Sequence, residues 1–217
     1  MNKLNRTARN FVILLVVLVI GIQLGSIDKE TVDDRGLLFQ IPSLNDAENG
    51  YNAIAYVHEP GFSLFDDYLG RQAVYDIVNG LDGSTRGVDD FLALHQKTLA
   101  DVRKASNLEN FILAIPDPIN NRLEYSGLTD LAALLILESM VFARKGDIDR
   151  AIENIDTALR FSVRLSFDAN KSLLTHSVAM SMQGTILRWA HSLAIDYRLT
   201  QTQFSTLIAS IESLPAY

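Results

Sequence analysis

The sequence predicts an all-α protein, in which an N-terminal membrane helix precedes an exported domain of antiparallel, repeat-like helical hairpins. Two observations support this fold class. Apolar residues recur at spacings of three and four, as in Val88, Leu92, Leu99 and Val102, which is the period of an amphipathic helix. Alternating apolar and polar residues bounded by hairpin turns are nearly absent from the chain, so we expect no strands.

The beginning of the chain has the composition of a membrane anchor. A basic tail, residues 1–10, carries Lys3, Arg6 and Arg9, and the segment 11–27 that follows has no charged residue. Such a segment is long enough to cross a thin bilayer as a helix. Because cations favour the cytoplasmic side, we expect a single-pass protein of the inner (cytoplasmic) membrane with its N-terminus inside. The bulk of the chain would then lie in the periplasm or the extracellular space.

A cleaved signal peptide is the alternative interpretation of the same segment. A basic start followed by a short apolar core is also typical of secretory leaders. No pair of small residues at the spacing required by signal peptidase follows the apolar run cleanly. The sequence therefore favours the uncleaved anchor.

The remainder of the chain is acidic. The whole sequence has 19 basic and 26 acidic residues. Without the three cations of the tail, 16 basic residues stand against 26 acidic ones, a formal charge of −10. This negative charge, together with the absence of a basic cluster after the tail, argues against a nucleic-acid partner. The chain has no cysteine and no sequence motif for a metal or a cofactor, so we expect neither group.

A juxtamembrane linker, residues 28–42, leads to the helical domain, residues 43–217. Ser43 and Asp46 resemble a capping box at the start of a helix over 47–58. Apolar periodicity and turn residues predict three further helices before the middle of the chain, over 66–79, 88–105 and 106–115.

The second half of the domain is predicted to form two helical hairpins, at 129–165 and 172–214. In the first hairpin the two helices meet at Gly146, because glycine readily adopts the left-handed conformation of a helix C-cap. In the second hairpin Thr200 and Gln203 form a capping box by sequence. Short connections favour antiparallel pairs, and two pairs in series favour stacked repeats over a closed bundle.

The turn at Gly146 belongs to a recognisable pattern. The sequence Gly-Asp-Ile-Asp-Arg-Ala-Ile starting at Gly146, followed by Ala158, resembles the second half of a tetratricopeptide repeat. The resemblance covers residues 132–165, about one period of that family. It implies that Gly146 makes the turn between the two helices and that Ala151 and Ala158 allow close helix packing.

The preceding helix extends the resemblance. Ser139 and Phe142 stand where the family has a small residue and an aromatic residue. Two positions depart from the pattern, since Glu138 replaces a large apolar residue and Val163 replaces a proline. Because the helix around Glu138 is strongly apolar, its carboxylate must either find a partner or become protonated.

The four histidines, His58, His95, His176 and His191, are too scattered to form a local metal site. His95 lies on an apolar stripe, where a buried imidazole is expected rather than a catalytic base. The acidic pairs at 66–67 and 89–90 precede amphipathic segments, and we interpret them as helix-start carboxylates.

These observations favour a membrane-anchored scaffold that binds another protein of the cell envelope. An apolar stripe on the last helix supplies the candidate protein-contact residues, which are Phe204, Leu207, Ile211 and Leu214. This stripe also predicts self-association, or cover by further sequence of a longer repeat protein. The alternative is a helical envelope enzyme or a ligand-binding sensor whose site is assembled from dispersed histidines and carboxylates.

Overall fold

The computed structural model describes residues 46–59, 62, 64–65, 70, 71–78, 87–108, 110–112, 126–166 and 173–214. Within these ranges the regular secondary structure is helical and includes no β-strand, which confirms the all-α class. The described residues all belong to one compact unit, Ile41–Tyr217. The predicted basic tail, anchor and linker, residues 1–42, lie outside the described residues.

The described part of the chain forms seven α-helices and three short 3-10 helices. The α-helices are α1 (Arg71–Val78), α2 (Val88–Leu94), α3 (Gln96–Asn107), α4 (Ser126–Arg144), α5 (Ile148–Ser166), α6 (Leu173–Asp196) and α7 (Gln201–Glu212). The 3-10 helices are Asp46–Glu48, Gly50–Ala53 and Ala55–His58.

The prediction of one helix over 47–58 is wrong, because the 3-10 helices occupy this segment. Asn49 explains the difference. Its side chain accepts hydrogen bonds from the backbone N–H groups of Tyr51 (3.1 Å) and Ile112 (2.9 Å) and donates to the Ile112 carbonyl (2.9 Å). The next residue, Gly50, lies so close to α3 that a Cβ atom there would be 2.5 Å from the Ala105 carbonyl oxygen. Contacts to distant residues thus override the local helical pattern.

The segment 88–105 is helical as predicted, but it is divided into α2 and α3 at His95 and is not one continuous helix. His95 has φ −102° and ψ 20°, outside the helical region, and its ring centroid lies 4.3 Å from that of Phe91. The predicted helix over 106–115 is wrong where it is described. There, α3 ends at Asn107 and Asn110 forms an isolated bridge with Asn49.

Helix α4 is the centre of the core. It packs against α1, α2, α3, α5, α6 and the 3-10 helix Ala55–His58. Among the described residues it is the one helix long and apolar enough to cross a membrane, and 78 % of that apolar window is buried inside the protein. Enclosure by the surrounding helices therefore accounts for its apolar character.

Helices α4 and α5 pack closely and are joined by a tight turn at Gly146, whose φ is +80°. The N–H of Gly146 bonds to the Ala143 carbonyl (3.0 Å), and the N–H of Asp147 bonds to the Phe142 carbonyl (2.9 Å). These two bonds define a Schellman motif, which satisfies carbonyls at the end of α4.

The capping box predicted at the start of α7 is confirmed. Thr200 accepts from the Gln203 backbone (3.2 Å), and Gln203 accepts from the Thr200 backbone (3.0 Å). Although α7 follows α6 in the chain, it packs chiefly against α5 and much less against α6.

Candidate functional site

An open groove lies between α5 and α7, with a volume of about 460 Å³. We call it the α5–α7 groove. Its α5 wall consists of Asp149, Ile152, Glu153 and Asp156. Its α7 wall consists of Thr206, Ala209, Ser210 and Ser213.

The acidic residues of the α5 wall share one face of the helix. Positions 149, 153 and 156 are separated by four and three residues, so their side chains project in nearly the same direction. The other face of α5 is buried in the core through residues such as Ala151, Ile155 and Ala158. The amphipathic pattern of α5 therefore places three carboxylates along the groove.

Two of the three carboxylates are engaged within the described chain. Asp149 accepts a hydrogen bond of 2.8 Å from the Gln203 amide nitrogen on α7. Asp156 forms an ion pair with Arg160 at 3.0 Å, one turn along α5. Glu153 is exposed and forms no ion pair with another described residue. Because Asp149 and Glu153 are like charges four residues apart, they destabilise the helix slightly unless a cation lies beside them.

The hydroxyl groups of the α7 wall direct their protons to their own helix. Thr206 donates to the Thr202 carbonyl (3.0 Å), Ser210 to the Thr206 carbonyl (3.2 Å) and Ser213 to the Ser210 carbonyl (2.7 Å). Each hydroxyl has one proton, so the free electron pairs of its oxygen remain as acceptors. The α5 wall thus offers negative charge and the α7 wall offers hydroxyl acceptors, which suits a ligand rich in N–H donors.

The four contact residues predicted on α7 are placed differently from one another. Leu207 is only 2 % exposed and belongs to the core, so it is not accessible to a partner. Ile211 and Leu214 are partly buried and pack against the core. Phe204 is 49 % exposed and is the member of the set that a partner can reach.

The residues singled out by the repeat resemblance position α5. Ser139, Ala151 and Ala158 are fully buried. The Ser139 hydroxyl donates to the Ala151 carbonyl (2.8 Å) and accepts from the Trp189 indole N–H (2.8 Å). A single hydroxyl therefore connects α4, α5 and α6. Phe142 is half-buried, with the Arg150 guanidinium 5.3 Å from its ring centroid.

The buried carboxylate of Glu138 has the partners that its apolar surroundings require. Glu138 is 5 % exposed. Its Oε2 atom accepts hydrogen bonds from the Arg103 guanidinium and from the Asn154 amide, the latter at 2.7 Å. Arg103 also donates to the Asn154 side-chain oxygen at 3.0 Å. This cluster joins α3, α4 and α5 behind the groove wall.

The described histidines and acids do not converge on a metal site. Within the described ranges, no three residues drawn from histidine, aspartate and glutamate lie close enough together to hold an ion. The ring of His95 packs on Phe91, and burial lowers its pKa below the ordinary histidine value. Lowering the pKa favours the neutral imidazole.

Sequence reasoning did not identify the α5–α7 groove. The spacing of Asp149, Glu153 and Asp156 was a visible signal for one acidic face. The α7 wall had no such signal, because Thr206 and Ser210 are about fifty residues distant and are brought to α5 only by tertiary packing.

Comparison with protein-family models, curated proteins and solved structures gives no match to this chain.

Proposed function

We propose that this protein is a membrane-anchored scaffold that binds a basic segment of another polypeptide in the α5–α7 groove. The observation that carries the proposal is the lining of the groove, where Glu153 has no cationic partner among the described residues and the α7 hydroxyls offer only acceptors. Lysine and arginine side chains carry several N–H donors and no acceptor, so they complement this lining.

The net charge supports the same partner. Beyond the basic tail the chain has a formal charge of −10, and a field of this sign accelerates encounter with cationic partners while disfavouring anionic ones. The groove is open to solvent and is lined by residues of two helices. Such a surface suits an extended or helical segment better than an enclosed small molecule.

The membrane anchor and the repeat-like helices indicate where the partner is found and what kind of molecule it is. Residues 11–27 anchor the chain in the cytoplasmic membrane, and the groove faces the periplasm or extracellular space, so the partner is another envelope protein. The resemblance to a tetratricopeptide repeat over residues 132–165 is consistent with a protein-binding role. The local features of α4 and α5 support it, since Gly146 makes the turn and Ala151 and Ala158 have no exposed surface.

Site-specific photocrosslinking in intact membranes tests the proposal. A photoreactive residue is placed at Ala209 in the groove, at Phe204 on the exposed side of α7, or at His191 on α6. All three positions are exposed, but only Ala209 lines the groove. We expect a discrete adduct with another protein from Ala209, a much weaker one from Phe204 and none from His191.

The identity of the adducts distinguishes the possible interfaces. An adduct from Phe204 with a second copy of this chain would indicate self-association through α7. Equal adduct yields from His191 and Ala209 would contradict binding in the groove.

A further inference from the structure

A second concave surface lies between α2 and α4, and we name it the α2–α4 cleft. Its volume is about 280 Å³, and it is lined by Asp89, Leu92, Ala93, Gln96, Glu138, Val141, Phe142 and Lys145. None of these residues lines the α5–α7 groove. We propose that the α2–α4 cleft binds a terminal alkylammonium group, either of a free amine or of a lysine side chain.

Glu138 supplies the principal acceptor. Both hydrogen bonds that the described residues make to its carboxylate fall on Oε2, from Arg103 and from Asn154. The other oxygen, Oε1, has no hydrogen-bond partner among the described residues, and it is not a buried unsatisfied atom. Because Glu138 is 5 % exposed and lines the cleft, solvent or a ligand reaches Oε1 from the cleft.

The hydrogen bonds of Arg103 and Asn154 to Oε2 also fix the position of Oε1. Arg103 and Asn154 are bonded to each other as well as to Oε2, at 3.0 Å between the guanidinium and the amide oxygen. The carboxylate therefore cannot rotate freely without breaking these bonds. A fixed and largely desolvated acceptor binds a charged donor more strongly than an exposed carboxylate does.

The rim of the cleft adds two acceptors. The Gln96 amide nitrogen donates to the Leu92 carbonyl (2.9 Å), which leaves the amide oxygen of Gln96 available. Lys145 pairs with Asp89 Oδ1 at 2.5 Å, which leaves Oδ2 available. An ammonium group has three donors and no acceptor, so it is complementary to a cleft lined by such oxygens.

The walls of the cleft are apolar. Leu92 and Val141 are buried, Phe142 is half-buried, and the exposed Ala93 completes the wall. These groups can cover the methylene stem of an alkylamine while its charged end reaches Glu138. A bare metal ion fits less well, since the described residues gather no three histidine or acidic ligands.

Methyl NMR of the full chain in non-ionic detergent tests this proposal. The signals of Leu92 and Val141 are followed during titration with pentylamine or with an N-acetylated, C-amidated lysine. Pentanol and the corresponding norleucine derivative are neutral controls of similar size. We expect saturable shifts with at least one of the amines and none with the neutral controls. Binding of the lysine derivative alone would identify a polypeptide as the source, and binding of pentylamine alone would identify a free amine.

Two variants test whether amine binding depends on the α2–α4 cleft and not on the folding of the domain. Glu138→Gln removes the charge, and Ala93→Phe fills the cleft from an exposed wall without changing the buried cluster. Each is expected to raise Kd by about tenfold or more, the size expected from a lost charge-assisted hydrogen bond or a blocked site. Ala100→Phe, at an exposed position of α3 outside the cleft, should leave Kd within about twofold.

Three results would overturn the proposal. The first is no saturable shift with either amine. The second is equal binding of pentanol and pentylamine. The third is unchanged amine binding in both Glu138→Gln and Ala93→Phe.

Discussion

The indole nitrogen of Trp189 lies 2.8 Å from the hydroxyl oxygen of Ser139, deep in the core. Ser139 is fully buried and Trp189 is 7 % exposed. Because the same hydroxyl donates to the Ala151 carbonyl at 2.8 Å, α4, α5 and α6 share one polar connection. This connection sets the position of α5, whose outer face forms the acidic wall of the α5–α7 groove.

Replacing Ser139 by alanine should destabilise the domain by about 1–3 kcal/mol, since the Trp189 N–H then lacks a buried acceptor. The expected result is a fall in Tm of several degrees. Trp189 is the only tryptophan of the chain, so its fluorescence reports the transition directly. Ser205→Ala, at an exposed hydroxyl of α7, is the control and should leave Tm nearly unchanged.

Removing one member of the cluster of Arg103, Glu138 and Asn154 should destabilise the protein more than replacing all three residues by apolar ones. Glu138→Leu leaves the Asn154 amide without its acceptor, and we expect a loss of about 1–3 kcal/mol in the free energy of unfolding. The triple variant Arg103→Met, Glu138→Leu, Asn154→Leu removes all the polar partners together and should recover most of that loss. Denaturant unfolding measures both values. A triple variant less stable than Glu138→Leu would contradict this account.

Gly146→Val should lower stability by about 1 kcal/mol or more, because a β-branched residue is strained at φ +80°. Apart from the two chain neighbours, no atom of the described residues lies within 4 Å of the position that a Cβ would take, so the expected effect comes from backbone strain. Gly184 on α6 also has open space, but its φ is not positive. Gly184→Ala should therefore stabilise the helix slightly. Thermal melts in which both variants change Tm in the same direction would refute this distinction.

His95 should make the stability of the domain depend on pH. Burial lowers the pKa of His95 in the folded protein, so the unfolded chain takes up this proton at a higher pH, near the ordinary value of about 6.5. The contribution of neutral His95 to the free energy of unfolding is complete above that pH. It is lost as the pH falls towards the pKa of His95 in the folded protein. His95→Asn should reduce the fall in Tm between about pH 7 and pH 5. An identical pH profile for the variant would exclude His95 as a source of the dependence.

Local signals predicted the parts of the fold that local chemistry controls. Gly146 is preferred where the backbone must turn with positive φ, and the Thr200–Gln203 box caps α7 through contacts within four residues. The buried Glu138 was expected to need a partner, but Arg103 and Asn154 are 35 and 16 residues away, so sequence alone did not identify them.

Long-range contacts explain two of the failures. Asn49 is bonded to Ile112, 63 residues away, and these bonds accompany 3-10 helices where the sequence predicted an α-helix. The α5–α7 groove was missed for the same reason, since its two walls meet only through tertiary packing. The break at His95 is a different case, because no glycine or proline marks it and the contact of its ring with Phe91 is local.

The affinity of the full chain for a basic peptide reports on binding in the α5–α7 groove. A fluorescent decapeptide of alternating lysine and serine is titrated with the wild-type protein, Glu153→Lys and Glu59→Lys at equal ionic strength, and anisotropy gives Kd. The two variants change the net charge equally, but only Glu153 lines the α5–α7 groove, while Glu59 follows the 3-10 helix Ala55–His58. We predict that Glu153→Lys raises Kd by about tenfold and that Glu59→Lys raises it by about twofold at most. Equal losses of affinity in the two variants, or no loss in Glu153→Lys, would contradict binding in the groove.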